Sequence, residues 1–250
     1  MEVLDGKTVV VTGAGGALGR AYALAIAQAG AAVTVSDVRR NAAIATADAI
    51  GKVGGKGLAV ETDVTDAAAI ERLLDRAETE LGPLDVLVNV AGMYPRSLVA
   101  EMSELEWDQV MQVNLTSVFL CTRAALRRML PRRRGVILSV ASGTGVRGVA
   151  RGAHYAASKA GIIAFKRSMA LELKDSGVRI NCIGPGPTDA ALWRVGRSEE
   201  EVRRLIATGT VFQPEEFANV VVYLVSDQSW PLSGEFIARD PYSPTPSLLI

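Results

Sequence analysis

Short apolar runs alternate with longer stretches of helical composition along this chain. Thr8 to Val11 is a β-branched run ended by Gly13, the pattern of a buried strand running into a turn. Leu18 to Gln28 is Ala-rich and helical in composition, and Gly30 closes it. Ala32 to Ser36 is a second apolar run, ending at Asp37. Further short runs follow at Leu58 to Val60, Val86 to Asn89, Val136 to Val140 and Val178 to Ile183. Helix starts are readable between them. Asp66 precedes a helix predicted over Ala67 to Glu80, and Ser103 with Glu106 forms a capping box, as do Ser198 and Glu201.

Strands that are nearly all apolar, separated by helices, imply a parallel sheet covered on both faces. The expected architecture is α/β: one Rossmann-type doubly wound domain with a parallel seven-stranded sheet, of which these runs supply six strands, and helices on both faces. No composition break or repeat divides the chain. The expected domain spans residues 1–240, and Pro241, Pro244 and Pro246 make 241–250 a tail or a strap over a neighbour.

Composition narrows the function. Of 250 residues, 49% are hydrophobic and 22% charged, which is globular composition for a chain long enough to bury roughly 70–75% of its unfolded surface. Lys plus Arg and Asp plus Glu both number 27, so no net field recruits nucleic acid or an anionic membrane. Cys121 and Cys182 have neither zinc-cluster nor redox-motif spacing and read as thiols of a reducing compartment. With His154 the sole histidine, no multi-histidine metal site is available. No stretch reaches the ~18 uncharged apolar residues of a membrane helix, and Met1 to Lys7 carry no leader pattern. These readings predict a cytoplasmic protein whose partners are small molecules or copies of itself.

After the first strand comes Thr12-Gly13-Ala14-Gly15-Gly16-Ala17-Leu18-Gly19, opening directly into a helix. Glycine lets the backbone approach a pyrophosphate, and a helix N-terminus offers free N–H groups and a positive dipole end. Asp37 lies 18 residues beyond Gly19, at the end of the second strand, where a carboxylate can accept bonds from the adenosine ribose hydroxyls. A carboxylate there repels the 2′-phosphate of NADP, so Asp37 points to NAD. Arg39 and Arg40 read as a solvated helix start, with NADP the less favoured alternative.

Tyr155 and Lys159 stand four apart in Tyr-Ala-Ala-Ser-Lys, within a stretch that reads as helix to about Leu173. They share a helix face. An ammonium beside a phenol is expected to lower the phenol's pKa, so that it exchanges protons with an alcohol. With these motifs in order, the chain resembles the classical short-chain dehydrogenase/reductase family from about Lys7 to Asp240. The resemblance rests on the turn at Thr12 to Gly19, Asp63-Val64, Asn89-Val90-Ala91-Gly92, Asn114, Ser142, Tyr155, Lys159 and Pro185-Gly186.

It implies Tyr155 as general acid/base, Ser142 (13 residues earlier) bonding the substrate oxygen, and Lys159 holding the nicotinamide ribose and tuning Tyr155. It also implies Asn114 positioning a water in a proton relay. Gly13, Ala17, Leu18 and Gly19 would receive the pyrophosphate, and Asp63 and Val64 would flank the adenine. Asn89, Ala91 and Gly92 would lie at the adjacent ribose, and Pro185, Gly186 and Thr188 at the nicotinamide. Ser139 rivals Ser142, and His154 reads as incidental. The expected reaction is hydride transfer between NAD(H) and an alcohol or ketone, in a homo-oligomer (tetramer or dimer). Alternatives are an NADPH-dependent carbonyl reductase, a non-catalytic NAD-binding regulatory protein, and an epimerase that recycles its nicotinamide.

Four positions depart from the family pattern. Ala17 and Val90 replace a glycine and an asparagine, Ala190 stands where many members have threonine, and Arg239-Asp240-Pro241-Tyr242 replaces Asp-Gly-Gly. Met93, Tyr94, Thr144, Val149 and Trp193 are expected to line the substrate pocket. Arg96, Arg147, Arg151 and Arg194 could receive an anionic group, although 21 arginines in the chain favour solvated surface.

Overall fold

The computed structural model describes residues 2–239, the side chain of Leu192 excepted; the proline-bearing stretch from Asp240 onward lies outside the described residues. In chain order the main elements are β1 Thr8–Thr12, α1 Ala17–Gln28, β2 Ala32–Asp37, α2 Arg40–Lys52, β3 Lys56–Glu61, α3 Ala67–Leu81 and β4 Leu84–Asn89. Then come α4 Glu104–Met111, α5 Ser117–Met129, β5 Gly135–Val140, α6 Thr144–Arg147, α7 Ala153–Glu172 and β6 Val178–Gly184. The last are α8 Ala191–Arg194, α9 Glu199–Ala207, α10 Ala218–Val225 and β7 Phe236–Ala238. The seven strands form one parallel sheet in the order β3-β2-β1-β4-β5-β6-β7. The expected single doubly wound domain is the observed one.

The strand pleat explains why β1 is apolar throughout. Val9 and Val11 face a core shared with Tyr22 and Ile26 of α1 and Val221 and Leu224 of α10. Val10 faces the opposite core, with Ile70, Leu73 and Leu74 of α3 and Leu126 and Met129 of α5. Successive side chains point to opposite faces, so a strand covered on both sides has no position for a charge.

Three expected helix starts carry a side-chain cap, although neither of the two expected boxes closes. Asp66 accepts the Ala68 N–H at 2.8 Å, Ser103 the Glu106 N–H at 3.1 Å, and Ser198 the Glu201 N–H at 3.2 Å. The box at Ser103 does not close, because the Glu106 carboxylate turns to His154 instead. A π-turn at Gln112–Thr116 joins α4 to α5, a distortion that often marks functional ground.

The chain order reverses between β1 and β4, so their carboxyl ends diverge into opposite connections. In such sheets ligands bind in the crevice outside that switch point. Thr12, Asp37, Asn89 and Val140 all end strands there.

Candidate active site

The glycine turn is built by close approaches that only glycine permits. Gly13 has φ +64°, and a Cβ there would come within 2.7 Å of Ala91 backbone atoms. A Cβ on Gly19 would lie 2.3 Å from the Gly13 carbonyl oxygen. The turn is thus pressed between the end of β4 and the start of α1. Thr12 Oγ1 fixes the first side, accepting the Val90 and Ala91 N–H groups at 3.1 and 3.3 Å. Ala17, the substituted position, is the first residue of α1 and has no positive φ, so its methyl group causes no backbone strain.

Helix α1 has no side-chain cap and no acidic residue in its first turn. Its free N–H groups, at Ala17 and Leu18, are what a pyrophosphate needs. Asp37 is buried; its Oδ2 accepts the Gly15 N–H at 3.0 Å and its Oδ1 the Arg39 N–H at 2.9 Å. The carboxylate therefore braces the turn from the carboxyl end of β2. Arg39 and Arg40 form an exposed helix start, as read from the sequence, with the Arg39 Nε 3.2 Å from Asp37 Oδ1.

Further along the groove, Asp63 is exposed and accepts the backbone and hydroxyl of Thr65, beside buried Val64. Buried Asn89 donates to Ser139 Oγ at 3.2 Å and leaves its own carbonyl oxygen without a partner. Gly92 lies against both Asn114 Oδ1 and Lys159 Nζ. On the far side, Gly186 (φ +81°) abuts the Phe212 ring. Thr188 is buried, its hydroxyl donating to the Gly186 carbonyl at 3.2 Å. The Phe212 N–H and carbonyl pin this loop to Pro187 and Asp189.

Tyr155, Ser142 and Lys159 meet where β5 ends and α7 begins. Ser142 Oγ accepts from the Thr144 hydroxyl at 2.9 Å and the Thr144 N–H at 3.2 Å. A hydroxyl has two acceptor sites and one proton, so the Ser142 proton is left to bond Tyr155, as it does. Ser139, the rival, is buried in β5 and occupied by Asn89. Lys159 is buried, donates to the Val140 carbonyl at 2.7 Å, and holds its Nζ 5.6 Å from the Tyr155 ring centroid.

The expected depression of the Tyr155 pKa is not what this geometry produces. Burial pushes the hydroxyl up to about 12, against the Ser142 hydrogen bond, which favours the phenolate. Burial likewise pulls Lys159 down to about 8. The two groups are poised as a neutral acid and a readily titrated amine. Asn114 is wholly buried and clamps Met93 in both directions, with a third bond from Nδ2 to Ser158 Oγ at 3.1 Å. That ties the π-turn to the strand end and to α7.

His154, read as incidental from sequence, is a built part of the site. It is fully buried, and its Nδ1 accepts the Tyr155 N–H at 2.8 Å, so the proton resides on Nε2, 3.1 Å from the Glu106 carboxylate. Gly152, the residue ahead of α7, has no side chain to cap the helix; His154 supplies that bond. The Glu106 partner is 48 positions away, and no local pattern could have announced it. Tyr94 packs on Tyr155 with ring centroids 4.2 Å apart.

The comparisons with known proteins agree with this geometry. The short chain dehydrogenase family model matches residues 7–201. The chain belongs to the short-chain dehydrogenase/reductase family. Members bind a nicotinamide cofactor and are oxidoreductases of carbonyl and hydroxyl groups. The chain is similar to 3-oxoacyl-(acyl-carrier-protein) reductase FabG of Escherichia coli K12, 36% identical over 92% of this chain and 94% of that one. It is 37% identical to a cis-4-hydroxycyclohexanecarboxylate dehydrogenase of Sinomonas cyclohexanicum, over 96% and 97% of the two chains. A solved short-chain type dehydrogenase/reductase from Mycobacterium marinum superposes with a TM-score of 0.89 at 32% identity, covering 97% of each chain. Among the described residues no helix is long and apolar enough to cross a membrane, and no cluster could hold a metal ion.

Proposed function

We propose that this chain is an NAD(H)-dependent oxidoreductase that interconverts an alcohol and a carbonyl compound, with Tyr155 as general acid/base. The observation that carries the reading is the convergence of Ser142, Tyr155 and Lys159 where β5 ends and α7 begins, with the Lys159 Nζ 5.6 Å from the Tyr155 ring centroid. A bound nicotinamide supplies or accepts the hydride. In reduction, Tyr155 donates its hydroxyl proton to the carbonyl oxygen, and Ser142 orients that oxygen. A Tyr155 pKa near 12 keeps the proton in place at neutral pH, which suits reduction. Alcohol oxidation, needing the phenolate, gains as pH rises.

In this reading Lys159 holds the nicotinamide ribose and carries protons to Tyr155, and Asn114 positions the relay. Gly13, Ala17, Leu18 and Gly19 hold the pyrophosphate, and Asp37 the adenosine ribose. Asp63 and Val64 flank the adenine, Asn89, Ala91 and Gly92 the ribose beside it, and Pro185, Gly186 and Thr188 the nicotinamide. The enzyme is a cytoplasmic homo-oligomer whose catalytic domain spans residues 1–240. Two buried free thiols, Cys121 and Cys182, support a reducing compartment.

NADPH is the second reading, favoured by Arg39 beside Asp37. A side-by-side fluorescence titration with NADH and NADPH separates them. Wild type is expected to prefer NADH, and Asp37→Ala to lose about tenfold for NADH, one charge-assisted bond, while narrowing the gap. Preference for NADPH in wild type would overturn the NAD assignment.

A further inference from the structure

Arg239, one of the residues that depart from the family pattern, follows directly on strand β7. Its backbone N–H bonds the Gly184 carbonyl at 2.9 Å, which carries the β6–β7 pairing one residue further and fixes where the side chain starts. The guanidinium lies over the Phe212 ring, with Cζ 3.3 Å from the centroid, and donates to Glu216 Oε2 at 3.1 Å. Glu216 is itself held by its own turn, its other oxygen accepting the Gln213 N–H at 2.7 Å. The ion pair is half-exposed and contributes little stability alone; its effect is to aim the guanidinium at the ring. The edge of that ring fills the space beside Gly186, where a Cβ would meet Phe212 Cε2 and Cδ2 at 3.1 and 3.2 Å.

Phe212 is also the base of an excursion. Between Thr188 and Phe212, which form a parallel bridge, the chain runs out through α8 and α9 and returns. The Phe212 N–H bonds the Pro187 carbonyl at 2.9 Å, and its carbonyl accepts the Asp189 N–H at 2.8 Å. Arg194, read from the sequence as able to receive an anionic group, is bound within this excursion to Asp189 at 2.7 and 3.0 Å. Gly196 (φ +73°) and Gly209 (φ +69°) lie inside it with open space at their α-carbons. Such a segment opens readily unless its base is pinned. The Arg239 stack ties that base to the sheet edge.

We propose that Arg239 is a positioning residue for the nicotinamide end of the cofactor: stacked on Phe212, it holds the Gly186 turn in the shape that the nicotinamide meets. The proposal rests on the cofactor reading above, which puts Pro185, Gly186 and Thr188 at the nicotinamide. Arg239 acts through Phe212 and not on a reacting atom. A glycine at φ +81° samples many backbone states when nothing holds it, and a turn that must be ordered on binding weakens affinity. The glycine turn at the start of α1 belongs to a different connection, so loss of Arg239 should weaken the nicotinamide half and spare the adenosine half.

The test is a calorimetric titration of the full chain with NADH and with ADP-ribose, which has the adenosine, pyrophosphate and second ribose but no nicotinamide. Wild type is expected to bind NADH the more tightly. Arg239→Ala is expected to lose about fivefold or more for NADH and less than about twofold for ADP-ribose. Phe212→Leu should show the same selective loss. Arg239→Lys keeps a cation for Glu216 without the planar stack; it is expected to fall between, and it decides the matter if the alanine variant does not fold. Equal losses for the two ligands, or an NADH affinity that survives in these variants, would overturn the positioning role and leave the cofactor reading intact. Wild type that binds neither ligand would overturn the cofactor reading and the positioning role with it.

Discussion

Replacing Lys159 by methionine should stabilise the unliganded protein at pH 7 while removing its activity. The ammonium is enclosed, and burial lowers its pKa from 10.5 to about 8. At ~1.4 kcal/mol per pKa unit, retaining that charge in the fold costs about 3 kcal/mol at pH 7. Methionine fills a similar volume without charge, but forfeits the 2.7 Å bond to the Val140 carbonyl, which offsets about 1–2 kcal/mol. The net expectation is a variant more stable by about 1–2 kcal/mol.

The pH dependence gives the sharper test. A depressed lysine pKa contributes stability that is full above the unfolded pKa and lost as pH falls through the folded one. Wild type should therefore gain on Lys159→Met by about 2 kcal/mol between pH 7 and pH 9.5. Tyr155 does not confuse the comparison: its raised pKa lowers stability only between about pH 10 and 12, and in both proteins alike. Urea unfolding of both proteins at the two pH values measures the difference. A gap that does not change with pH would refute the claim that Lys159 is held as a desolvated cation.

Three further substitutions probe the frame around the site. His154→Ala leaves the Tyr155 N–H and the Glu106 carboxylate without their partner. It should cost about 2–4 kcal/mol in stability and about tenfold in kcat, with NADH affinity unchanged, as checked by urea unfolding, single-turnover kinetics and titration. Gly19→Ala drives a methyl group to 2.3 Å from the Gly13 carbonyl oxygen and should cost about 2 kcal/mol or more and most of the NADH affinity. Gly16→Ala, with 3.4 Å of clearance, should remain close to wild type by thermal unfolding.

Six strands were legible because each is a short, mostly apolar run, which is what burial on both faces demands; Arg179 in the sixth is the exception, its guanidinium donating to the Ser226 and Leu232 carbonyls. Their ends extend by one or two residues, as with Leu84–Asn89 against the predicted Val86 to Asn89, because pairing includes the edge residues Leu84 and Asp85 that the apolar pattern omits. Strand β7, three residues long, is too short to carry a period and had no signal of its own. The turn, Asp37 and the Tyr155–Lys159 pair were legible because their chemistry requires fixed local spacings.

What stayed hidden depends on distance or surroundings. The Glu106–His154 bond joins residues 48 apart. The Tyr155 pKa followed burial rather than its lysine neighbour, because desolvation is invisible in a spacing.

The central claim is proton transfer through Tyr155 coupled to hydride transfer. It is tested most directly by following NADH formation and consumption with a panel of hydroxy and oxo acids, alcohols and ketones, for wild type and Tyr155→Phe. The account predicts turnover in wild type and a loss of about 10²–10⁴-fold in kcat for the variant, with NADH affinity within twofold. Full turnover by Tyr155→Phe, or no net change of NADH with any member of the panel in wild type, would contradict it.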